Sequence, residues 1–229
     1  MTTYKSRLRK LAAAQLCGTI ALLVACGCRP LLPEDQATNA AAGSPILEEF
    51  VPGSTGNWIL EQDDLGSTAI INEELVITVA SPNTMQFSTL EGASFSDFAL
   101  EVDAFQRSGP PEGSSGILFR MQDNDQFFRF EITGNGLFMV ERRNSDGTWT
   151  RLVPDWTPST AINQGLNVSN RLKVIAAGST MTFYANDILL TQVTDSAYSE
   201  GSVALDAGTF GGSNLQVSFD NLSISGDSQ

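Results

Sequence analysis

From residue 46 onward the chain alternates hydrophobic and polar positions with a period of two, and the alternation breaks and restarts roughly every 8 to 12 residues. In DFALEVDAFQ, Phe98, Leu100, Val102 and Ala104 share one face, while Glu101, Asp103 and Phe105 share the other. QFFRFEIT sets Phe128, Phe130 and Ile132 against Arg129 and Glu131, and GLFMVERR sets Phe138 and Val140 against Met139 and Glu141. RLKVIAAG, TMTFYAND, GSVALDAG and NLQVSFDNLSIS read the same way, and no stretch sustains a helical period. Between the runs stand Asp123-Asn124-Asp125, Gly134-Asn135-Gly136, Asp146-Gly147 and Asn186-Asp187, residues that tolerate positive φ in hairpin turns. Many short strands joined by such turns predict an all-β, antiparallel β-sandwich, with Trp58 of GNWIL packing a first strand.

Upstream the pattern changes. Residues 1–10 are basic and 11–25 (LAAAQLCGTIALLVA) are apolar, the layout of a secretory signal too short for a comfortable membrane span. The run ends in Leu23-Val24-Ala25-Cys26, which resembles the bacterial lipobox, where cleavage before the cysteine frees its amine and its thiol is diacylated. That resemblance implies lipidation of Cys26 and a membrane anchor outside the cytoplasm. Gly27, where an Asp would retain a lipoprotein at the inner membrane, directs the expectation to the outer membrane or cell surface. Cys28 lacks an aliphatic residue three places upstream and Cys17 leaves with the leader, so the domain is expected to hold neither disulfide nor thiolate metal site. The expected organisation is a signal peptide over 1–25, a lipidated cysteine and flexible linker over 26–45, one sandwich over 46–225 and a tail over 226–229.

Composition acts mainly by exclusion. The 229 residues carry 26 acids against 13 bases, and four of those bases, Lys5, Arg7, Arg9 and Lys10, belong to the leader. A formal charge of −13 repels phosphate backbones, so nucleic acid is not an expected partner. The absence of any histidine removes Ser-His-Asp and Cys-His pairs and every His-ligated metal. Chemistry falls to carboxylates, Arg, Lys, Tyr and hydroxyls.

SSGILFRMQDNDQFFRFEI (114–132), GTWTRLVPDW (147–156), NRLKVIAAGSTMTFYANDILL (170–190) and the GSVALDAG and VSFDNLSI strings near the end are similar to the concanavalin A-like lectin/glucanase superfamily. Within it they look closest to 3-keto-disaccharide hydrolase-like domains, fold relatives of family 16 glycoside hydrolases. The resemblance implies a jelly roll whose concave sheet faces carbohydrate. Family 16 enzymes carry Glu-x-Asp-x-Glu on one strand; here Glu101 and Asp103 match the first two acids, but Phe105 or Gln106 stands where the second Glu belongs. Candidate catalytic acids are therefore Glu101 and Asp103, or acids of neighbouring strands such as Glu131 and Glu141, with solvated outer-face positions as the simpler account.

Binding needs only hydrogen-bonding groups and an aromatic face. The non-core faces offer Arg120, Arg129, Glu131 and Glu141, which with Glu101 and Asp103 would form an alternating charged lattice if their strands are neighbours. Trp149, Trp156 and Tyr184 are the candidate stacking surfaces. QDNDQ (122–126) has the oxygen-rich look of a calcium loop, through Asp123 and Asp125, but it lacks the spaced acids and bidentate Glu of an EF-hand and a hairpin turn is the simpler account; no other cofactor is expected. The expected function is a lipid-anchored domain that binds carbohydrate or envelope glycan without cleaving it. The alternatives are a glycoside or 3-keto-disaccharide hydrolase or lyase using sheet carboxylates, and an envelope protein-interaction module.

Overall fold

The computed structural model describes residues 45–51 and 56–228. The leader, Cys26 and the linker as far as residue 44 lie outside the described residues. Among the described residues there are fifteen strands and no helix. The first five are β1 (Ile46–Glu48), β2 (Gly66–Ile71), β3 (Glu74–Val79), β4 (Met85–Thr89) and β5 (Phe95–Ser108). The middle five are β6 (Ser114–Asp123), β7 (Gln126–Thr133), β8 (Leu137–Arg143), β9 (Trp149–Arg151) and β10 (Thr157–Pro158). The last five are β11 (Ser169–Ala177), β12 (Thr180–Ala185), β13 (Ile188–Thr194), β14 (Ser202–Gly208) and β15 (Leu215–Ser228).

The strands form two antiparallel sheets of a concanavalin A-like sandwich. One has eight strands in the order β13-β12-β11-β5-β15-β3-β2, with β1 pairing β15; the other has seven in the order β10-β8-β7-β6-β14-β4, with β9 pairing β8. The expected turns fall between hairpin-connected strands, with φ of 88° at Gly136, 79° at Gly147, 51° at Asn186 and 65° at Asp187. The last strand runs through Ser228, past the domain end expected at 225, because its residues continue to pair with β5.

The inner faces meet as the alternation requires. Phe98, Leu100 and Val102 of β5 are buried with Phe119, Phe128 and Phe130 of the opposite sheet. Phe183 of β12 joins the layers, its ring 5.1 Å from Phe130 and 6.0 Å from Phe119, a spacing in the favourable range for aromatic pairs. Trp58 is buried as expected but forms a single bridge to Leu90 in place of a strand. Its indole Nε1 donates to Glu48 Oε2 at 3.3 Å, and that carboxylate is also occupied by the amides of Phe50 and Gly56.

Candidate functional site

The charged residues singled out from the pattern do not share one surface. Glu101 and Asp103 lie on β5, in the eight-stranded sheet, and Arg129, Glu131 and Glu141 lie on β7 and β8 of the other. The single lattice is therefore divided in two. On the β5 side, Glu101 pairs with Lys173 Nζ at 2.6 Å, and Asp103 accepts from Arg171 Nε at 3.1 Å and Asn221 Nδ2 at 3.0 Å. Tyr184 stands on that same outer face, its ring 5.9 Å from Lys173 Nζ, remote from the two tryptophans. These are cross-strand pairs, with Asp103 itself 9% exposed, and the β5 acids have cations of their own.

Arg120 also leaves the expected face. The register of β6 shifts after Phe119, and Arg120 takes a φ of 48°, a bulge that re-aims its side chain. It is buried, with Nε and Nη2 donating to Ser96 O at 3.2 and 2.8 Å and Nη1 to Tyr198 O at 3.2 Å. Its task is to tie β5 and the 198 loop to β6. Asp123 and Asp125 form the β6–β7 hairpin, Asp123 Oδ1 accepting from the Asp125 amide at 2.8 Å and Oδ2 from Gln126 Nε2 at 2.7 Å.

The outer face of the seven-stranded sheet gathers the rest. Pairing sets Ala204, Leu118, Arg129, Glu141 and Arg151 in one line across five strands. The next line reads Asp206, Gly116, Glu131 and Met139. Gly116 is the centre of the arrangement. A Cβ there would stand 2.5 Å from Asp206 Oδ1 and 3.0 Å from Glu131 Cβ. At Gly208 a Cβ would stand 2.9 Å from Arg129 Nη2. Two missing side chains thus open a recess in which the Arg129 guanidinium lies across neighbouring strands.

Arg129 Nε and Nη2 donate to Asp206 Oδ2 at 2.9 and 2.6 Å, and Nη1 donates to Glu131 Oε1 at 2.9 Å. Nη2 also donates to Ser114 Oγ at 3.3 Å, and Nη1 lies 3.7 Å from Glu141 Oε1. Arg129 is 4% exposed, Glu131 1% and Asp206 0%. Three carboxyl groups surround one largely buried guanidinium, so the charges do not cancel. Burial raises the Glu131 pKa to about 8, with Arg129 pulling it down and Asp206 pushing it further up. Burial likewise raises Asp206 against the pull of Arg129, and raises Glu141 against Arg129 and Arg151. Burial disfavours the charge on Arg129, but Asp206, Glu131 and Glu141 outweigh it and hold the pKa above its usual value.

Above this floor is a cleft of about 450 Å³, walled by Met85, Met139, Trp149, Trp156 and Phe210, with Arg151 on its rim. Trp149 is 40% exposed, its ring edge-on to Phe127 at 5.8 Å and capped by Arg143 at 5.1 Å. Trp156 packs partly on the core and edge-on to Phe210 at 5.4 Å. The structure therefore brings together Arg129, Glu131, Glu141, Trp149 and Trp156 of the expected residues. Sequence reading missed Asp206, the two glycines and Phe210; the one visible signal was an acid in the small-residue strand VALDAG.

Residues 49–225 match the family described as the 3-keto-alpha-glucoside-1,2-lyase-like domain. Among curated proteins no sequence matches the chain. Among solved structures, the carbohydrate binding module CBM66 from Bacillus subtilis superposes with a TM-score of 0.59 at 22% identity, over 74% of this chain and 95% of that one. The Bacillus licheniformis β-glucanase gives 0.55 at 12% identity, over 81% and 99%. A Crh5 transglycosylase in complex with NAG gives 0.59 at 11% identity, over 81% and 85%. At these identities the likeness is one of fold.

Proposed function

The chain belongs to the 3-keto-alpha-glucoside-1,2-lyase-like domain family, and from that premise we propose that the outer face of its seven-stranded sheet binds carbohydrate in the cleft between Trp149, Trp156 and Phe210 without cleaving it. One observation carries the reading. Of the two carboxylates that line the cleft, Glu131 is sealed at 1% exposure and Glu141 alone reaches it, with 14% of its side chain exposed. Glycoside hydrolysis by paired carboxyls needs two groups within reach of the scissile bond. Binding needs less: an apolar wall for a sugar ring and a few fixed polar groups. The family and the carbohydrate-binding fold relatives support a glycan ligand. The lipobox-like sequence ending at Cys26 supports a membrane anchor that presents the domain outside the cytoplasm.

A second reading, cleavage or elimination in the same cleft, is favoured by the raised pKa values of the neighbouring carboxyls Glu131 and Glu141, a feature of acid–base sites. Mass spectrometry of the full chain incubated with 3-keto disaccharides and β-glucans separates the two. Intact sugar adducts without product support binding. Shortened or eliminated sugars that vanish in Glu141→Gln establish the second reading.

A further inference from the structure

We infer that the cleft selects sugars that present hydrogen-bond donors to its floor, hydroxyl or ammonium groups, and refuses sugars that present carboxylates. The inference rests on the carbohydrate-binding reading and specifies its ligand class. A guanidinium has five N–H donors, and those of Arg129 are directed at protein acceptors: two at Asp206 Oδ2, one at Ser114 Oγ, one at Glu131 Oε1 and one toward Glu141. The floor's cation is therefore spent on the protein's own acids.

The acceptors are in excess. Glu131 Oε2 and Asp206 Oδ1 are buried and without a hydrogen-bond partner, although Glu131 Oε2 stands 2.8 Å from Arg129 Nη2 as an ion pair. Glu131 lines the cleft but is sealed beneath the surface. The acceptor a ligand meets is therefore Glu141, with 14% of its side chain exposed and 3.7 Å from Arg129 Nη1, and a ligand hydroxyl or ammonium can donate to it. A ligand carboxylate instead places one more anion against a floor already rich in them. Arg151 does not reverse this balance, because its head is 54% exposed on the rim, beside Asp155 at 3.4 Å, where its attraction is screened by solvent.

A glycan array carrying neutral, amino and uronic oligosaccharides of matched linkage and length, probed with the full chain at neutral pH, tests the inference. The expected result is retention of neutral or amino sugars at least tenfold stronger than of their uronic counterparts. The amino and neutral arms distinguish ammonium from hydroxyl as the donor. Glu141→Gln replaces the exposed carboxylate of the cleft with an amide that also donates, and it is expected to narrow the gap. Uronic sugars held as tightly as neutral ones by the unmodified chain would overturn the inference while leaving carbohydrate binding intact. Failure of all three classes to bind would overturn the parent reading, and this one with it.

Discussion

At the scale of single residues, the site is made as much by two absent side chains as by the charges themselves. Gly116 leaves the gap that lets Asp206 and Glu131 flank one guanidinium, and the atoms nearest an added Cβ include the Phe130 carbonyl at 2.6 Å, which cannot swing aside. Gly116→Ala is therefore expected to cost about 1–3 kcal/mol by overpacking, read as a lowered midpoint in urea. Arg129→Ala strands buried carboxylates, and a loss of about 3–5 kcal/mol is expected in the same measurement. Double substitution of Arg129 with Asp206→Asn should recover part of that loss, since fewer uncompensated charges remain. Arg129, Glu131 and Glu141 were legible in the sequence because alternation puts them opposite Phe128, Phe130 and Val140. Asp206 and Gly116 were not, since what they do depends on β14 lying beside β6, some ninety residues earlier, and no local pattern encodes that adjacency.

The elements were legible wherever polar and apolar positions alternate, and the turn chemistry fixed where strands reverse. Neither tells which sheet a strand joins: β5 and β7 carry equally plausible acidic outer faces, yet they belong to different layers. Arg120 shows the other failure, a bulge in which three residues of β6 face one of β7 and a side chain moves off the face its position predicts. The β12–β13 turn illustrates how a loop position supports a whole edge. Asn186 adopts φ 51°, donates from Nδ2 to Ala161 O at 2.8 Å and Asn170 Oδ1 at 2.9 Å, and accepts from the Arg171 amide at 2.9 Å. Asn186→Ala loses these bonds and disfavours the left-handed turn, with an expected cost of about 1–3 kcal/mol. Hydrogen exchange should then accelerate first in β12 and β13, ahead of the central strands.

For the molecule as a whole, the charged recess links stability to pH. Glu131 titrates near 8 when folded against an ordinary value of 4.5, so the folded state binds its proton more tightly. Its contribution is complete below about pH 4.5 and is lost as pH rises through 8; the raised values of Asp206 and Glu141 act in the same direction. The melting temperature is expected to fall by several degrees between about pH 5.5 and 8.5, and Glu131→Gln to flatten that slope in a calorimetric series. Sheet order has a further consequence, for the timing of assembly. The strand at 215–228 lies between β5 and β3, pairing Val217 with Gln106 and Leu215 with Val79. A polypeptide emerging from its N-terminus receives this central plank after every other strand of the domain, and such long-range pairings close slowly. A chain stopped at residue 214 should show no cooperative unfolding transition. Until that point β5 and β3 lack the strand that lies between them, and the eight-stranded sheet stays open at its centre.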